Sequence, residues 1–379
     1  MFDHTLLAEN IKKHRLANRL TQTQLAEMTN VSCQAISKWE RGIAIPELDK
    51  LCLLADAFHC TVDQLIGNVQ TGQKMLMGVD GGGSKTEFVL FDEEGTIHET
   101  LILSACNPNA IGLEGSVEIL VQGIEHMKAI CPNLQGVFIG SAGFKSGGNG
   151  QKINAILSKK YPHIKIKCDT DIVNVFASAR PQGACIAGIC GTGTVVYLLE
   201  DGVYSQYTGW GYLLDPMGSG FHIGRDAVVA ALEHREGLGA PTALTELVEK
   251  KLGMSVRDSI RTFYEKGQSY IASFARCVFE AFETGDRKAA EILENNAHRL
   301  AFVMSRIVEE HPSAKTVILS GGVITENSIF LKLIRKHLDP RLEIILPTLS
   351  QAQGACLLCA DLCGLDTDKV YKAFQNQTK

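Results

Sequence analysis

The chain has 379 residues, of which 45% are hydrophobic, and a formal net charge of −5. This length predicts two or three domains with substantial cores, and the negative charge argues against a surface that coats nucleic acid generally. No apolar stretch approaches the roughly 20 residues of a membrane span, and the polar N-terminus lacks the apolar segment of a signal peptide. We therefore expect a soluble, cytoplasmic protein with no membrane partner.

The twelve cysteines are scattered along the chain and are mostly flanked by apolar residues. Without a secretory signal, reduced thiols in the core are the expected state. Cys356, Cys359 and Cys363 recur at helical spacing on a mostly apolar segment. A metal site would need a second pair of ligands, and none is evident in the sequence. The pattern therefore favours a buried helix face over a metal site.

Residues 1–68 are predicted to form a domain of five helices, because apolar residues recur there at helical spacings. Residues 21–24 (Thr-Gln-Thr-Gln) match a capping box at the start of the second helix. Ser32 is expected to cap a third helix that ends near Arg41. A fourth helix is predicted over 47–58, after Pro46, and a short fifth over 61–66.

This domain resembles the lambda-repressor-like (Xre-type) helix-turn-helix domain, in the stretches 21–26, 31–32 and 36–42 and at Pro46. The resemblance implies that the third helix enters the DNA major groove. The residues implied for base contacts are Ser32, Gln34, Ser37 and Lys38, and those for phosphate contacts are Gln22, Gln24 and Arg41. Because the domain has seven basic and eight acidic residues, DNA binding would depend on this local cluster. The alternative is a protein-binding module of the same fold.

A polar linker is predicted at 69–74, and a glycine-rich turn follows at 78–86 (Gly-Val-Asp-Gly-Gly-Gly-Ser-Lys-Thr) between two short apolar runs. The pattern predicts strand, turn, strand, and three glycines allow backbone N–H groups to approach a ligand closely. Asp80 could hold a hydrated Mg²⁺ ion. The residues that could surround phosphate are Gly81, Gly82, Gly83, Ser84, Lys85 and Thr86. Neither a Walker A loop nor a dinucleotide fingerprint fits, since both need a helix after the turn.

The following segments predict a third strand at 96–103, a helix at 116–130, a strand at 137–140 and a helix at 151–160. A strand at 164–168 then leads into Asp169-Thr170-Asp171, directly before another helix. Residues 185–197 repeat the pattern of strand, glycine turn and strand, with Gly191, Thr192, Gly193 and Thr194 in the turn. Two copies of one β-meander indicate a duplicated domain with a ligand clamped between the copies. A ligand-free glycine hairpin is the alternative.

The second half is predicted to be rich in helices, at 222–235, 244–252, 256–282 and 288–310. A strand at 316–319 leads into Gly321 and Gly322, whose bare backbone would let an adenine or ribose pack closely. A helix at 326–337 and a strand at 342–346 follow. The expected divisions are a first lobe at 75–180, a second lobe with a helical insertion at 181–350, and a C-terminal helix at 351–379 that packs back on the first lobe.

From about residue 75 to 365 the chain resembles the BadF/BadG/BcrA/BcrD ATPase family, which includes N-acetylglucosamine kinases. The matching motifs are the turn at 78–86, the second glycine turn at 191–194, the Gly-Trp-Gly at 209–211 with Gly218-Ser219, and the segment 320–322. The resemblance implies an α/β actin-like ATPase domain of the sugar kinase/Hsp70/actin superfamily. Its two RNase H-like lobes would close over ATP and Mg²⁺, with the helix-turn-helix domain in front.

In the sugar kinases of this family, the Asp of a Thr-Asp pair deprotonates the attacking hydroxyl, and here that residue would be Asp171. The alternative for Asp171 is a helix N-cap. The residues that the resemblance implies around the sugar are Asn107, Ser141, Gly143, Trp210, Gly211 and Asp215. One departure is that the kinases read Gly-Asp-Glu-Gly-Ser where this chain has Asp215-Pro216-Met217-Gly218-Ser219.

These features predict a transcription regulator whose ATPase domain binds ATP and an amino sugar such as N-acetylglucosamine, and phosphorylates it. The Pro216-Met217 departure favours one alternative, a sensor that binds ATP and sugar without phosphoryl transfer. Another alternative is an activator of 2-hydroxyacyl-CoA dehydratases, but Gly188 stands where those activators have a cysteine ligand of an iron–sulfur cluster. Helix-turn-helix regulators usually read two half-sites, so a homodimer is expected.

Overall fold

The computed structural model describes residues 4–18, 20–58, 60, 62–66, 74–215 and 218–377. The linker predicted at 69–74 falls, except for Lys74, outside the described residues, and so do Pro216 and Met217. None of the helices in these ranges is long and apolar enough to cross a membrane.

The N-terminal segment folds into helices at the predicted places, which are α1 (His4–Ala17), α2 (Gln22–Met28), α3 (Cys33–Glu40), α4 (Leu48–Phe58) and α5 (Val62–Leu65). The capping box of α2 is confirmed, because the Thr21 side chain accepts from the Gln24 backbone and the Gln24 side chain accepts from the Thr21 N–H. Ser32 caps α3 by accepting a 3.1 Å hydrogen bond from the backbone N–H of Ala35.

A buried ion pair connects α1 to α3. The Arg15 guanidinium donates to both carboxylate oxygens of Glu40, at 2.5 and 3.0 Å, and Gln22 donates to the same carboxylate at 2.8 Å. The two charged side chains are only 10% and 3% exposed. Around them lies the apolar core of the domain, which consists of Leu7, Ile11, Leu25, Ala26, Ile36, Trp39, Leu51, Leu54, Phe58 and Leu65. The pair therefore joins three helices from within their common core.

The first sheet has the strand order β3-β2-β1-β4-β5. Its elements are β1 (Met75–Gly81), β2 (Lys85–Asp92), β3 (Ile97–Ser104), α6 (Pro108–Ile130), β4 (Leu134–Ser141), α7 (Asn149–Lys160), β5 (Lys165–Asp169) and α8 (Ile172–Ala179). Strands β1 to β3 form an antiparallel meander, and β4 runs parallel to β1 and to β5. Helix α6 begins earlier than the predicted residue 116, because Asn107 caps it and Pro108 occupies its first turn, and Gly112 interrupts it with φ 77°.

The second sheet repeats this plan with the order β10-β9-β6-β7-β8. Its strands are β6 (Cys185–Cys190), β7 (Thr194–Glu200), β8 (Val203–Gln206), β9 (Thr316–Ser320) and β10 (Glu343–Ile345). Strands β6 to β8 again form an antiparallel meander, and β9 again runs parallel to its first strand. The predicted duplication of an α/β unit with two glycine turns is confirmed.

Helices of the second half lie at α9 (Gly220–Arg235), α10 (Leu244–Leu252), α11 (Ile260–Ala272), α12 (Ala275–Glu283), α13 (Arg287–Glu310), α14 (Gly322–Thr325) and α15 (Ser328–His337). The single helix predicted over 256–282 is wrong. Gly267 interrupts α11 with φ 67° and ψ −158°, a conformation that suits glycine, and a turn at Ser273 separates α11 from α12.

The C-terminal segment forms two helices rather than the one predicted, namely α16 (Gln351–Leu362) and α17 (Thr367–Gln377), with Gly364 at φ 72° between them. Helix α16 packs on β1, β4 and α8. The approach is so close that a Cβ atom at Gly78 would lie 2.4 Å from the backbone nitrogen of Cys356. A Cβ atom at Gly354 would lie 2.1 Å from the backbone oxygen of Asn174. Glycine at both positions therefore allows backbone to pack against backbone.

We predict that Glu40→Ala destabilises the N-terminal domain by about 3 kcal/mol, because it leaves the buried Arg15 charge without its partner. Burial alone would raise the pKa of Glu40, but the hydrogen bonds from Arg15 and Gln22 outweigh burial and lower it. The stabilisation is therefore present above the ordinary glutamate pKa of about 4.3 and is lost as the pH falls through the lower folded-state pKa. Urea unfolding of the full chain at pH 7 and pH 3 measures both effects.

The buried Trp39, 7% exposed, provides the fluorescence signal for this domain, in a Trp210→Phe background that removes the other tryptophan. Asp49→Ala is the matched control, because Asp49 is 63% exposed and lies 3.6 Å from Lys50. Such exposed pairs contribute about 0–1 kcal/mol. An equal loss for both variants would contradict the assigned role of the buried pair.

Candidate functional site

The two glycine turns meet face to face. The turn between β1 and β2 brings Ser84 to the turn between β6 and β7, where its hydroxyl lies 3.0 Å from the hydroxyl of Thr192. A Cβ atom at Gly83 would lie 3.5 Å from the Thr192 side chain. At the start of the first turn, the backbone N–H of Gly82 donates to the Lys85 carbonyl at 2.9 Å, and a Cβ atom at Gly82 would meet only that oxygen, 3.5 Å away. The two turns thus contact each other across the lobes, as the clamp hypothesis requires.

The second turn is supported by elements of its own lobe. The first two backbone N–H groups of α9, those of Gly220 and Phe221, donate to the carbonyls of Gly191 and Thr192 at 2.8 and 3.1 Å. Gly321 adopts φ 97°, and a Cβ atom there would lie 2.5 Å from the carbonyl oxygen of Cys190. The structure therefore brings the segment at 321–322 against the strand that leads into the second turn.

Two carboxylates lie beside the turns at the carboxyl ends of the first sheet's parallel strands. Asp80 comes from β1, and Asp171 follows β5 at the start of α8. The side-chain amide of Asn174 donates to Asp80 at 2.8 Å and to the carbonyl of Gly140 at 3.2 Å. Burial raises the pKa of Asp80 to about 7; the Asn174 bond counteracts this rise, and the negative charge of Asp171 adds to it.

The side chain of Asp171 is oriented by a hydrogen bond from the residue before it. The Thr170 hydroxyl donates to its carboxylate at 3.0 Å. Asp171 occupies the N-cap position of α8 but has α-helical backbone angles, and its side chain accepts no capping hydrogen bond. Burial raises the pKa of Asp171 to about 6, and the hydrogen bond from Thr170 limits the rise. The geometry does not support the N-cap alternative.

Some of the predicted ligand-binding side chains are engaged within the fold. The Thr86 hydroxyl is buried and donates to the carbonyl of Ser104 at 2.8 Å, and the Lys85 ammonium pairs with Glu87 at 2.8 Å. The Ser141 hydroxyl is fully buried and donates to the carbonyl of Gly81 at 3.1 Å. Thr86 and Ser141 therefore fix the first turn from behind and do not offer their hydroxyls to the cleft.

Asn107 and Gly143 lie next to each other at the rim of the first lobe. A Cβ atom at Gly143 would lie 2.2 Å from the Asn107 side-chain oxygen, and Gly143 adopts φ 81°. That oxygen accepts from the backbone N–H of Asn109 at 2.9 Å. Asn149 donates to the carbonyl of Gly143 at 3.2 Å. The two predicted sugar-contacting residues are thus brought together, within a small network of amides.

The carboxylate of Asp215 is occupied by backbone groups, which was not expected for a residue that contacts the sugar. Its carboxylate accepts hydrogen bonds from the backbone N–H groups of Gly209, Trp210 and Gly211 at 2.7, 2.8 and 2.9 Å. The aspartate therefore closes the loop at 209–215, and this loop presents Trp210 with 60% of its surface exposed. The ring of Tyr212 packs 4.7 Å from that of Phe221, at the start of α9.

On α3, the helix expected to enter the major groove, Gln34 and Lys38 are exposed, and neither side chain has a hydrogen-bond partner among the described residues. Ser37 is half-buried. Its backbone carbonyl accepts from the Arg41 guanidinium at 3.2 Å. Gln34 and Lys38 are thus the two predicted base-contacting side chains with the most freedom to reach outward.

The other predicted DNA contacts have structural partners already. Ser32 caps α3, the Gln24 oxygen completes the capping box of α2, and Gln22 donates to Glu40. Each nevertheless keeps polar capacity, since a hydroxyl or an amide both donates and accepts. These three residues therefore stabilise α2 and α3 and can still form a further hydrogen bond at the surface of these helices.

Sequence reasoning missed two polar residues at the centre of the site, Asn174 and Tyr197. Asn174 is fully buried in α8, whose sequence Ile-Val-Asn-Val-Phe is otherwise apolar, and an amide in such a run could have indicated a buried hydrogen bond. Tyr197 comes from β7 of the second lobe. Its hydroxyl donates to the Gln206 side-chain oxygen at 2.8 Å. Burial raises the pKa of Tyr197, and the negative charge of Asp171 adds to the rise.

The site fits a nucleotide phosphate with a divalent cation. Asp80 supplies a carboxylate, and Mg²⁺ prefers oxygen ligands and usually retains waters. Two buried polar atoms next to the turns have no hydrogen-bond partner among the described residues, namely the side-chain oxygen of Asn174 and the hydroxyl of Thr194. Unpaired buried polar atoms are rare in native folds, and the Thr194 hydroxyl lies where the second glycine turn meets β7, next to the expected phosphates.

The potential metal ligands outside this site include the three cysteines on and at the end of α16, for which the sequence allows a metal site or a core helix face. Within the described ranges, no three or more His, Cys, Asp or Glu side chains form a group that could hold a metal ion. Cys356 and Cys359 are fully buried and Cys363 is half-buried, and all three are free thiols. The interpretation of these cysteines as a helix face in the core agrees with their burial.

We predict that Asp80→Asn stabilises the folded protein by about 2 kcal/mol at pH 8. A rise of the folded-state pKa from about 4 to about 7 means that the ionised carboxylate is less stable in the fold than in the unfolded chain. Each pKa unit corresponds to about 1.4 kcal/mol, and partial exposure reduces the total. The gain should grow between pH 4 and pH 7 and vanish below pH 4. Urea denaturation across this pH range measures it.

Asp92→Asn is the matched control, because Asp92 lies in the same hairpin but has the opposite pKa shift. Burial would raise the pKa of Asp92, but hydrogen bonds from His98 and from the backbone N–H groups of Thr96 and Glu94 outweigh it and lower the pKa. Neutralising Asp92 should therefore destabilise the fold at pH 8. A loss of stability in both variants would refute the assigned strain at Asp80.

The chain has measurable similarity to known proteins in both parts. A helix-turn-helix family model matches residues 11–65. Within this part, the chain is 41% identical over 58 residues to the HTH-type transcriptional activator BcrR of Enterococcus faecalis. The matched segment covers 15% of this chain and 28% of that protein. The Xre-type helix-turn-helix domain predicted from the sequence is thus confirmed.

The larger part is similar to sugar kinases. It is 25% identical over 312 residues to an N-acetyl-D-glucosamine kinase of Dictyostelium discoideum, covering 76% of this chain and 98% of the relative. It is 27% identical over 304 residues to an N-acetylmuramic acid/N-acetylglucosamine kinase of Clostridium acetobutylicum, covering 76% and 99%.

Two solved structures show the same fold. One is a candidate N-acetylglucosamine kinase of Chromobacterium violaceum, with TM-score 0.61 and 23% identity, covering 76% of this chain and 99% of that one. The other is a ROK family transcriptional regulator, with TM-score 0.52 and 14% identity, covering 99% of both chains. The model of the BadF/BadG/BcrA/BcrD ATPase family matches residues 77–359. The chain therefore belongs to the BadF/BadG/BcrA/BcrD ATPase family, with a helix-turn-helix domain in front of its ATPase domain.

Proposed function

We propose that this protein is a sugar-responsive transcription regulator whose ATPase domain binds ATP and an amino sugar and transfers a phosphoryl group between them. The observation that carries the proposal is the carboxylate pair Asp80 and Asp171 beside two glycine turns that face each other. Family membership implies the use of ATP. The amino sugar is proposed from the names of the two kinase relatives, both of which include N-acetylglucosamine.

Asp171 is the proposed general base. With a pKa of about 6, it is mostly ionised at pH 7 and still basic enough to accept a proton from a positioned hydroxyl. The Thr170 hydroxyl, 3.0 Å away, orients the carboxylate. The sugar oxygen that loses its proton to Asp171 forms a bond to the γ-phosphorus of ATP, and ADP leaves with the electron pair of the broken P–O bond.

The phosphates are proposed to lie between the two glycine turns. In the first turn the residues that would surround them are Gly81, Gly82, Gly83, Ser84 and Lys85, with Thr86 behind them. In the second turn they are Gly191, Thr192, Gly193 and Thr194, and Gly321 and Gly322 would lie next to the nucleoside. Asp80, with Asn174 beside it, would hold a hydrated Mg²⁺ ion, which supplies neutralisation of phosphate charge.

The sugar is proposed to lie between the rim of the first lobe and the loop at 209–215. Asn107 and Gly143 would contact its hydroxyls from one side, and Ser141 would act from behind by fixing the first turn. Trp210 and Gly211 would approach from the other side. An exposed indole suits this role, since its flat apolar face and its N–H group complement a sugar ring.

For DNA we propose that Gln34, Ser37, Lys38 and Ser32 face base edges and that Gln22, Gln24 and Arg41 lie near phosphates. A similar protein over this segment is named a transcriptional activator, which supports regulation of transcription as the output. Two copies reading two half-sites would explain how a domain without net positive charge binds DNA, because each half-site adds its own contacts. We therefore propose a homodimer.

A second function is favoured by one observation at Asp215. Its carboxylate accepts from three backbone N–H groups and so does not replace the acidic pair of the kinases. Without that pair, the ATPase domain could bind both ligands and change DNA affinity without transferring a phosphoryl group. This sensor differs from the kinase in one measurable product, ADP.

We predict that the purified protein with Mg²⁺ and ATP releases ADP in the presence of N-acetylglucosamine and that Asp171→Asn lowers the turnover number at least about 100-fold, the usual contribution of a general base. In the wild type, turnover should rise with pH around a midpoint near 6, because the base must be ionised. A coupled assay for ADP between pH 5 and pH 8 measures both.

Asp169→Asn is the matched control, because Asp169 lies two residues away and accepts the Thr170 backbone N–H at 2.8 Å. Its turnover should stay within about tenfold of the wild type. Calorimetric sugar binding without ADP release would select the sensor instead. Turnover that is unchanged in Asp171→Asn would remove Asp171 from its assigned role.

We predict that Gln34→Ala lowers affinity for the preferred operator and relaxes base preference at one position of each half-site, by about 1–3 kcal/mol per contact. Arg41→Ala should instead weaken binding to all sequences and reduce the salt dependence of affinity. Selection of binding sites from random DNA, followed by titrations at several salt concentrations, distinguishes the two. Equal binding by wild type and Gln34→Ala to all sequences would favour the protein-binding alternative.

A further inference from the structure

A pair of cysteines lies at the other end of the first sheet from the glycine turns. Cys359 is on α16, and Cys363 ends the same helix four residues later as its C-cap. Both sulfurs lie over Gly136 of β4: a Cβ atom there would be 2.3 Å from the sulfur of Cys363 and 3.2 Å from that of Cys359. The absence of a side chain at Gly136 thus makes room for two sulfur atoms on one side of the strand.

The Cα spacing of the two residues lies within the range found in disulfides. Positions four apart on a helix are about 6 Å apart along its axis, and disulfides join Cα atoms about 4.4–6.8 Å apart. Cys363 has φ −95° and ψ 2° at the helix end, and Gly364 follows with φ 72°. Since the helix ends here, Cys363 can adjust toward Cys359 without breaking an interior turn.

Two lysines lie close to Cys363. In the register of the sheet, Gly136 pairs with Lys165 of β5 on one side and with Leu76 of β1 on the other, and Lys74 immediately precedes β1. A hydrogen bond from Cys359 lowers the pKa of Cys363 to about 7 despite partial burial, and both lysines add to the effect. For Cys359, burial raises the pKa.

The two cysteines thus differ in the way that a reactive pair requires, with one accessible nucleophile and one buried thiol beside it. Cys363 is half-buried, so it is accessible, and near pH 7 about half of it is the nucleophilic thiolate. Cys359 is fully buried and protonated next to it. For the other buried cysteines, Cys106, Cys131, Cys185, Cys190, Cys277 and Cys356, burial raises the pKa.

We propose that Cys363 and Cys359 form a reversible thiol–disulfide pair, in which a hydroperoxide oxidises Cys363 and Cys359 then resolves the product. The Cys363 thiolate attacks one peroxide oxygen, the O–O bond breaks, and a sulfenic acid and hydroxide form. The hydroxide takes the proton of Cys359, whose sulfur attacks the sulfenic sulfur. The S–O bond breaks as the S–S bond forms, and the hydroxide that leaves takes up the proton that Cys363 released when it ionised. With hydrogen peroxide, two thiols are oxidised to one disulfide and the peroxide is reduced to two molecules of water.

The test is treatment of the reduced full-length protein with hydrogen peroxide, followed by peptide mass spectrometry. The peptide that contains both residues should lose two hydrogen atoms and regain them with dithiothreitol. In Cys359→Ala the reaction should stop at the sulfenic acid of Cys363, which dimedone traps. Cys363→Ser should show neither product. Retention of both hydrogens in the wild type, or dimedone labelling of Cys359 instead, would overturn the proposal.

A second measurement does not depend on disulfide formation. The rate at which iodoacetamide alkylates Cys363 should rise with pH around a midpoint near 7, and in Cys359→Ala this midpoint should move up by about one unit, because the thiolate loses its hydrogen bond. Cys52→Ser is the matched control, since Cys52 is exposed on α4, and it should change neither result. A midpoint above 8 in the wild type would contradict the assigned thiolate.

Discussion

Direct packing of backbone against backbone around Asn174 is the constraint on which the site depends. A Cβ atom at Gly354 would lie 2.1 Å from the Asn174 carbonyl, and one at Gly140 would lie 2.2 Å from its side-chain oxygen. Helix α16, helix α8 and strand β4 therefore enclose this residue without intervening side chains. Because its position is fixed, its amide holds Asp80 at 2.8 Å, and the carboxylate has a defined place at the end of β1.

The same packing explains how the fold tolerates unfavourable charges. Asp80 and Asp171 are both less stable as anions here than in water, as their raised pKa values show. A looser site would let water enter or let the side chains turn outward, and either change would relieve the strain. The apolar core shared by the two sheets, which includes Phe138, Phe176 and Tyr197, prevents this. Strained titratable groups in a cleft are typical of functional sites.

The sequence was a good guide wherever structure is determined locally. The capping box at Thr21, the Ser32 cap and both glycine turns depend on residues close in sequence, and these predictions are confirmed. It was a poor guide to where side chains point. Whether Thr86 offers its hydroxyl to the cleft or to Ser104 depends on strand pairing, and the bonds of Asp215 depend on a loop closing on itself. The break at Gly267 was missed because one glycine does not end an otherwise helical pattern.

Helix α16 connects three features of the molecule that are far apart in sequence. At its first residue, the Gln351 amide donates to the Ser320 hydroxyl at 2.8 Å, next to the glycine segment proposed for the nucleoside. At its centre, Gly354 touches Asn174, and at its end lie Cys359 and Cys363. A helix of 12 residues spans about 18 Å. Because Asn174 in turn donates to Asp80 at 2.8 Å, direct contacts along this one helix connect the cysteine pair, the buried carboxylate and the segment proposed for the nucleoside.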